Sequence, residues 1–198
     1  MRTERRKRAA ALVATKWIVA AIVAFAASVG FAQTSLFPHW QGLDQFRERW
    51  YSAHLRAMGE GALSDSHVGQ HVRFLLLPSF AHPVSVRIDC DEACELVAYR
   101  LSGYGGYEPG GVEKRAARKL TSEEVQAFNS QLRAADLWHG QVKSDFGVDG
   151  SQWIVEAQHP EGYVAWDVWS PQGPPFQAFI DLCQLMMRLA ALDSQPAP

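Results

Sequence analysis

Ser151-Gln-Trp-Ile-Val-Glu-Ala-Gln-His-Pro-Glu-Gly-Tyr-Val-Ala-Trp-Asp-Val-Trp169 is the most regular stretch of the chain. Two alternating runs, Ser151–Gln158 and Tyr163–Trp169, flank the turn His159-Pro-Glu-Gly162. Paired as a hairpin with Gln158 opposite Tyr163, they put Trp153, Val155, Ala157, Val164, Trp166 and Val168 on one face. Slipping a strand by one residue inverts its pattern, so an all-apolar face fixes the register. The opposite face then carries Gln152, Ile154, Glu156, Gln158, Tyr163, Ala165, Asp167 and Trp169.

Upstream of this hairpin, Val72–Pro78, Val84–Asp89 and Glu95–Leu101 read as strands, with Pro78 and Pro83 marking ends. Residues 112–119 form a fourth, more polar strand suited to a sheet edge. Thr121-Ser-Glu-Glu124 is a capping box, and Val125, Phe128, Leu132 and Ala135 continue as a helical stripe up to His139-Gly140. After the loop Ser170–Pro175, Phe176–Leu192 reads as an apolar helix with Phe176, Phe179, Ile180, Cys183, Met187 and Ala190 on its stripe. Near the start, Leu43–Met58 has helical spacing, with Leu43, Phe46, Trp50, Ala53 and Ala57 sharing a face and Gly59 and Gly61 stopping it. These elements predict an α+β fold: a mainly antiparallel sheet with helices packed on one face. The expected organisation is an N-terminal helix and connection over 33–70, a compact domain over 71–192 and a disordered tail over 193–198.

The chain has 198 residues, 47% hydrophobic and 20% charged, which excludes wholesale disorder. Six of its 19 basic residues and one of its 21 acidic ones precede residue 17, and Trp17–Ala32 carries no charge. Residues 33–198 therefore hold 13 Lys and Arg against 20 Asp and Glu, a balance of −7. An acidic domain is repelled by phosphate backbones, which argues against nucleic-acid binding. The cationic start and apolar run make residues 1–32 a secretory signal or a membrane anchor. Gly30-Phe31-Ala32 offers a cleavage site before Gln33. If residues 9–32 stay uncleaved, with Lys16 snorkelling, they are long enough to hold the domain to the inner membrane. Either way the domain faces the periplasm or the exterior, because the basic cluster stays in the cytoplasm. In that oxidising setting Cys90 and Cys94, four positions apart at a turn between two strands, are expected to form a disulfide. Two free thiols or half of a metal site are the competing readings. Cys183, among Leu182, Leu185 and Met186, reads as a small core residue.

Several segments resemble a family of uncharacterised bacterial exported proteins. They are Arg73-Phe-Leu, Leu101-Ser-Gly-Tyr-Gly-Gly-Tyr107, Gly147-Val-Asp-Gly-Ser-Gln-Trp-Ile-Val-Glu156, Asp167-Val-Trp-Ser-Pro171 and the Leu-rich last helix. The resemblance covers roughly 72–192. It implies the same domain limits and an exported location, and it carries no activity. The Cys90/Cys94 pair is not a general feature of that pattern.

No residue pattern implies a cofactor or a metal. Glu156 and Asp167 are the catalytic candidates: in the hairpin register they share a face one diagonal step apart, roughly 7–8 Å at the backbone. Paired carboxylates about 5–9.5 Å apart serve glycoside hydrolysis. The bland alternative makes them exposed strand residues or partners for Arg87 or Arg100. Ile154, Tyr163 and Trp169 on the same face, with Tyr104 and Tyr107 from the glycine-rich loop Gly103–Gly111, are the binding candidates. That loop leads into a strand and lacks a Gly-Lys-Ser/Thr ending, so it is no phosphate cradle. His67 and His71 have metal-like spacing interrupted by Gly69, and His39, His82 and His159 adjoin prolines without acid partners. Asp149-Gly-Ser151 lacks a nucleophile-elbow pattern. The leading expectation is a non-enzymatic exported domain binding protein, peptide or glycan; the alternative is a glycan-directed hydrolase using Glu156 and Asp167.

Overall fold

The computed structural model describes residues 35–37, 40–63, 69–139, 147–160 and 162–194. The leader, His39, His67 and residues 195–198 lie outside the described residues, and among those described no helix is long and apolar enough to cross a membrane. The described chain belongs to one compact unit beginning at Ser35, so the N-terminal helix is part of the same unit as the sheet.

Six strands form one antiparallel sheet: β1 (Gln70–Pro78), β2 (Val84–Cys90), β3 (Cys94–Leu101), β4 (Val112–Lys119), β5 (Ser151–His159) and β6 (Gly162–Trp169), in the order β4-β3-β2-β1-β5-β6. β1 is central and is buried on both sides, which suits the continuous apolar run Phe74–Leu77. β4 is an edge strand, with Lys114, Arg115, Arg118 and Lys119 among its eight residues. In the β5–β6 hairpin Gln158 pairs with Tyr163, and Ile154 and Glu156 stand opposite Asp167 and Ala165.

The apolar face of that hairpin packs with Val72, Phe74, Val86, Ile88, Leu96 and Ala98 beneath two helices. These are α2 (Ser122–Ala135) and α3 (Gln177–Ala190), which contribute Phe128, Leu132, Phe179, Leu182, Cys183 and Met186. The capping box of α2 is present: the Thr121 hydroxyl accepts from the Glu124 amide, and the Glu124 carboxylate accepts from the Thr121 amide. Trp153, Trp166 and Phe179 pack in series, with ring centroids 6.4 and 5.7 Å apart.

The helices do not all share one face. α1 (Gln45–Ala57) covers the other side of the sheet, where Tyr51, Leu55 and Met58 meet Leu75, Leu77, Leu101 and Ile154. A second buried layer exists because β1 exposes apolar side chains in both directions, and the second set needs a cover. The stripe of α1 is also rotated from the expected one: Tyr51 and Leu55 are buried, whereas Phe46 and Ala53 are exposed. Leu192–Ser194 form a 3₁₀ turn, and Asp193 ion-pairs with Arg100 at 2.8 Å.

Cys90 and Cys94 form a disulfide across the β2–β3 turn, where they are register partners. Cys183 is a free thiol inside the core, where burial pushes its pKa upward and makes it a poor nucleophile.

Candidate functional site

The layer between α1 and the sheet is built around charges. Arg73, on β1, is fully buried and directs Nε and Nη2 to Glu156 Oε2 at 2.8 and 2.6 Å. Its Nη1 donates to the Gly61 carbonyl at 2.6 Å, and the Phe37 ring lies 5.7 Å from the guanidinium. Tyr163 donates its hydroxyl to Glu156 Oε1 at 2.8 Å, which leaves both carboxylate oxygens engaged. Glu60 lies 3.6 Å from Arg73 and 2.9 Å from Arg87, and Arg87 continues to Asp89. Asp89 in turn stands 3.0 Å from His71 Nδ1.

Asp167 anchors a second group. It accepts from the Tyr51 hydroxyl at 2.8 Å and from Arg47 Nη1 at 3.2 Å, both on α1, and from the Gln152 amide. Burial raises the pKa of both carboxyls, against the pull of Arg73 and Tyr163 on Glu156 and of Tyr51 and Arg47 on Asp167. The phenols of Tyr51 and Tyr163 are pushed far upward, first by burial and then by the neighbouring carboxylate.

Glu156 is 1% exposed and Asp167 7%. Neither is the solvated strand residue expected, and neither pairs with Arg87 or Arg100. Their cationic partners are instead Arg73 for Glu156 and Arg47 for Asp167. Ile154 is fully buried under α1 and cannot be part of a contact surface. Tyr163 is half-buried and committed to Glu156.

Trp169 and Tyr107, by contrast, meet in an open cleft of about 470 Å³ at one end of the sheet. Four rings line it: Phe46 and Trp50 from α1, Tyr107 from the glycine-rich loop, and Trp169 from the end of β6. Ser79, Glu108 and Val148 complete the wall. The loop reaches this position by folding over the end of β1. Any Cβ at Gly105 would come within 2.5 Å of the Leu77 backbone, so only glycine allows the approach. Trp50 Nε1 then donates to the Gly105 carbonyl at 2.7 Å, which ties loop to helix. On the far wall Trp169 lies against Gly147, where a Cβ would collide with its indole. Tyr107 is 63% exposed and Val148 89%, and the exposed Phe80 ring adds to the patch at 6.1 Å from Tyr107. Tyr104 stands apart, stacked on His82 at 6.1 Å.

Phe46, Trp50, Glu108 and Val148 were not among the expected site residues. Phe46 and Trp50 fit a core stripe by spacing alone, and no local signal marks Glu108 or Val148.

A second depression of about 570 Å³, lined in part by Arg133, Trp138, His139 and His159, gathers none of the expected binding residues. Among the described residues no group of three or more His, Cys, Asp or Glu side chains converges to hold a metal. The Ser151 hydroxyl accepts from Trp153 Nε1 at 2.8 Å, a packing role. Compared with known proteins, the chain matches no family model and no curated sequence.

Proposed function

We propose that this is an exported binding domain that takes a protein, peptide or glycan ligand in the aromatic cleft. One observation carries the reading: rings from three distant segments, at 46–50, 107 and 169, converge on one solvent-open cleft. Aromatic side chains held open to water on a rigid scaffold are the commonest anchors of recognition surfaces. Export is supported by the charged and apolar leader, by the resemblance to exported proteins and by a disulfide that an oxidising compartment maintains. Residues 9–32, if retained, would hold the domain at the membrane surface.

A glycan hydrolase acting through Glu156 and Asp167 has less support. Each carboxyl is buried and accepts at least two hydrogen bonds from the protein, Asp167 from α1 and Glu156 from Arg73 and Tyr163. A sugar would reach Asp167 only by displacing Tyr51 and Arg47 of α1, and Glu156 only by displacing Arg73 and Tyr163.

The test is capture from a crosslinked envelope fraction. Wild type and Glu156→Gln should retain the same partner, provided the latter is folded, and Tyr107→Ala/Trp169→Ala should lose it. Equal capture by the double variant would overturn the reading.

A further inference from the structure

The cleft has a charge character that narrows its ligand. Phe46, Trp50, Tyr107 and Trp169 present π systems, and among the described residues no Lys or Arg lines the wall. Among the described residues of the wall the charged group is Glu108, an exposed carboxylate whose oxygens make no hydrogen bond or ion pair with the rest of them.

We propose that what the cleft recognises on its ligand is an organic cation, a quaternary ammonium group of the choline type; the proposal rests on the cleft being the binding site. A quaternary ammonium offers an apolar methyl shell to the rings and a positive charge to their π faces. Glu108 complements that charge, and the −7 balance of residues 33–198 attracts a cation from a distance. A zwitterion or phosphate ester fits less well, because among the described residues no cationic side chain lines the cleft to receive its anionic half. The volume of about 470 Å³ admits such a group with room for bound water.

The experiment titrates the folded exported domain with choline, following tryptophan fluorescence and confirming by calorimetry. The uncharged isostere 3,3-dimethylbutan-1-ol and phosphocholine serve as comparison ligands. Choline should bind saturably, and the isostere on the order of tenfold more weakly because it lacks the charge. Glu108→Gln, an exposed substitution with little bearing on folding, should weaken choline several-fold and leave the isostere unchanged. Tyr107→Ala, also exposed, should weaken both.

No saturable choline binding up to tens of millimolar, equal binding of the isostere, or an unaltered choline affinity in Glu108→Gln would each overturn the proposal. Tighter binding of phosphocholine would overturn it in favour of a lipid headgroup. If choline fails while Tyr107→Ala/Trp169→Ala still loses the envelope partner, the cation assignment falls and the binding cleft stands. If that double variant also captures the partner as wild type does, both fall.

Discussion

Replacing Arg73 by Met tests whether the charges beneath α1 are structural. Met keeps the length of the side chain and removes the guanidinium. Arg73 is fully buried, Glu156 is 1% exposed, and two N–H groups reach the same carboxylate oxygen at 2.6 and 2.8 Å. Losing one member of such a pair leaves the other desolvated and uncompensated, at a cost of about 3–5 kcal/mol. For a domain of this size that lowers Tm by about 6–20 °C. Urea unfolding followed by circular dichroism should show the loss as a shifted midpoint with an unchanged slope. Glu156→Gln, which still offers Tyr163 an acceptor, should cost a similar amount by stranding Arg73. The double variant should cost less than the sum of the singles, with a coupling energy of about 2 kcal/mol or more. The Arg73→Met deficit should also shrink in acid, since only the Tyr163 hydrogen bond then opposes the effect of burial on the Glu156 carboxyl, which folds protonated. Single variants costing under about 1 kcal/mol with no coupling would show a pair screened by water, and the buried arrangement would be refuted.

Three further outcomes follow from the same geometry. The Asp167 carboxyl is raised by burial, so the stability it contributes is full below its unfolded value, about 4, and is lost as pH rises through the folded one. Asp167→Asn cannot ionise, so its urea midpoint should gain on wild type as pH rises from about 4; a gap independent of pH would contradict this. Cys90→Ser/Cys94→Ser opens a ring of sequence separation 4 and should lose roughly 2 kcal/mol by the loop-entropy relation, read from the same melts. Gly147→Ala places a methyl against the Trp169 indole and should displace that ring, weakening partner capture while the far-UV spectrum is retained.

The hairpin was legible because its alternation leaves a single register, and the observed Gln158–Tyr163 pairing follows it. Strand positions and the α2 cap were legible for the same local reasons. The second layer was not, because it depends on what covers the polar face of β5 and β6. Glu156, Asp167, Gln152 and Tyr163 look like solvated residues until Arg73 and α1 are set against them. The available signal was Arg73 itself, a lone cation leading the run Phe74–Leu77, which calls for a buried counter-charge. In α1, Tyr51 holds the core through its ring and Asp167 through its hydroxyl, a double role that helical spacing does not reveal. The cleft was half legible: Tyr107 and Trp169 stood out as aromatic candidates, whereas Phe46, Trp50 and Glu108 join them only through topology.

Hydroxyl-radical footprinting of the folded domain, alone and bound to the partner that the capture experiment recovers, tests the cleft most directly. Oxidation should fall at Phe46, Tyr107 and Trp169 on binding and stay unchanged at the exposed Trp138, in the other depression. Protection of Trp138 with the three cleft rings unaffected would contradict the assignment.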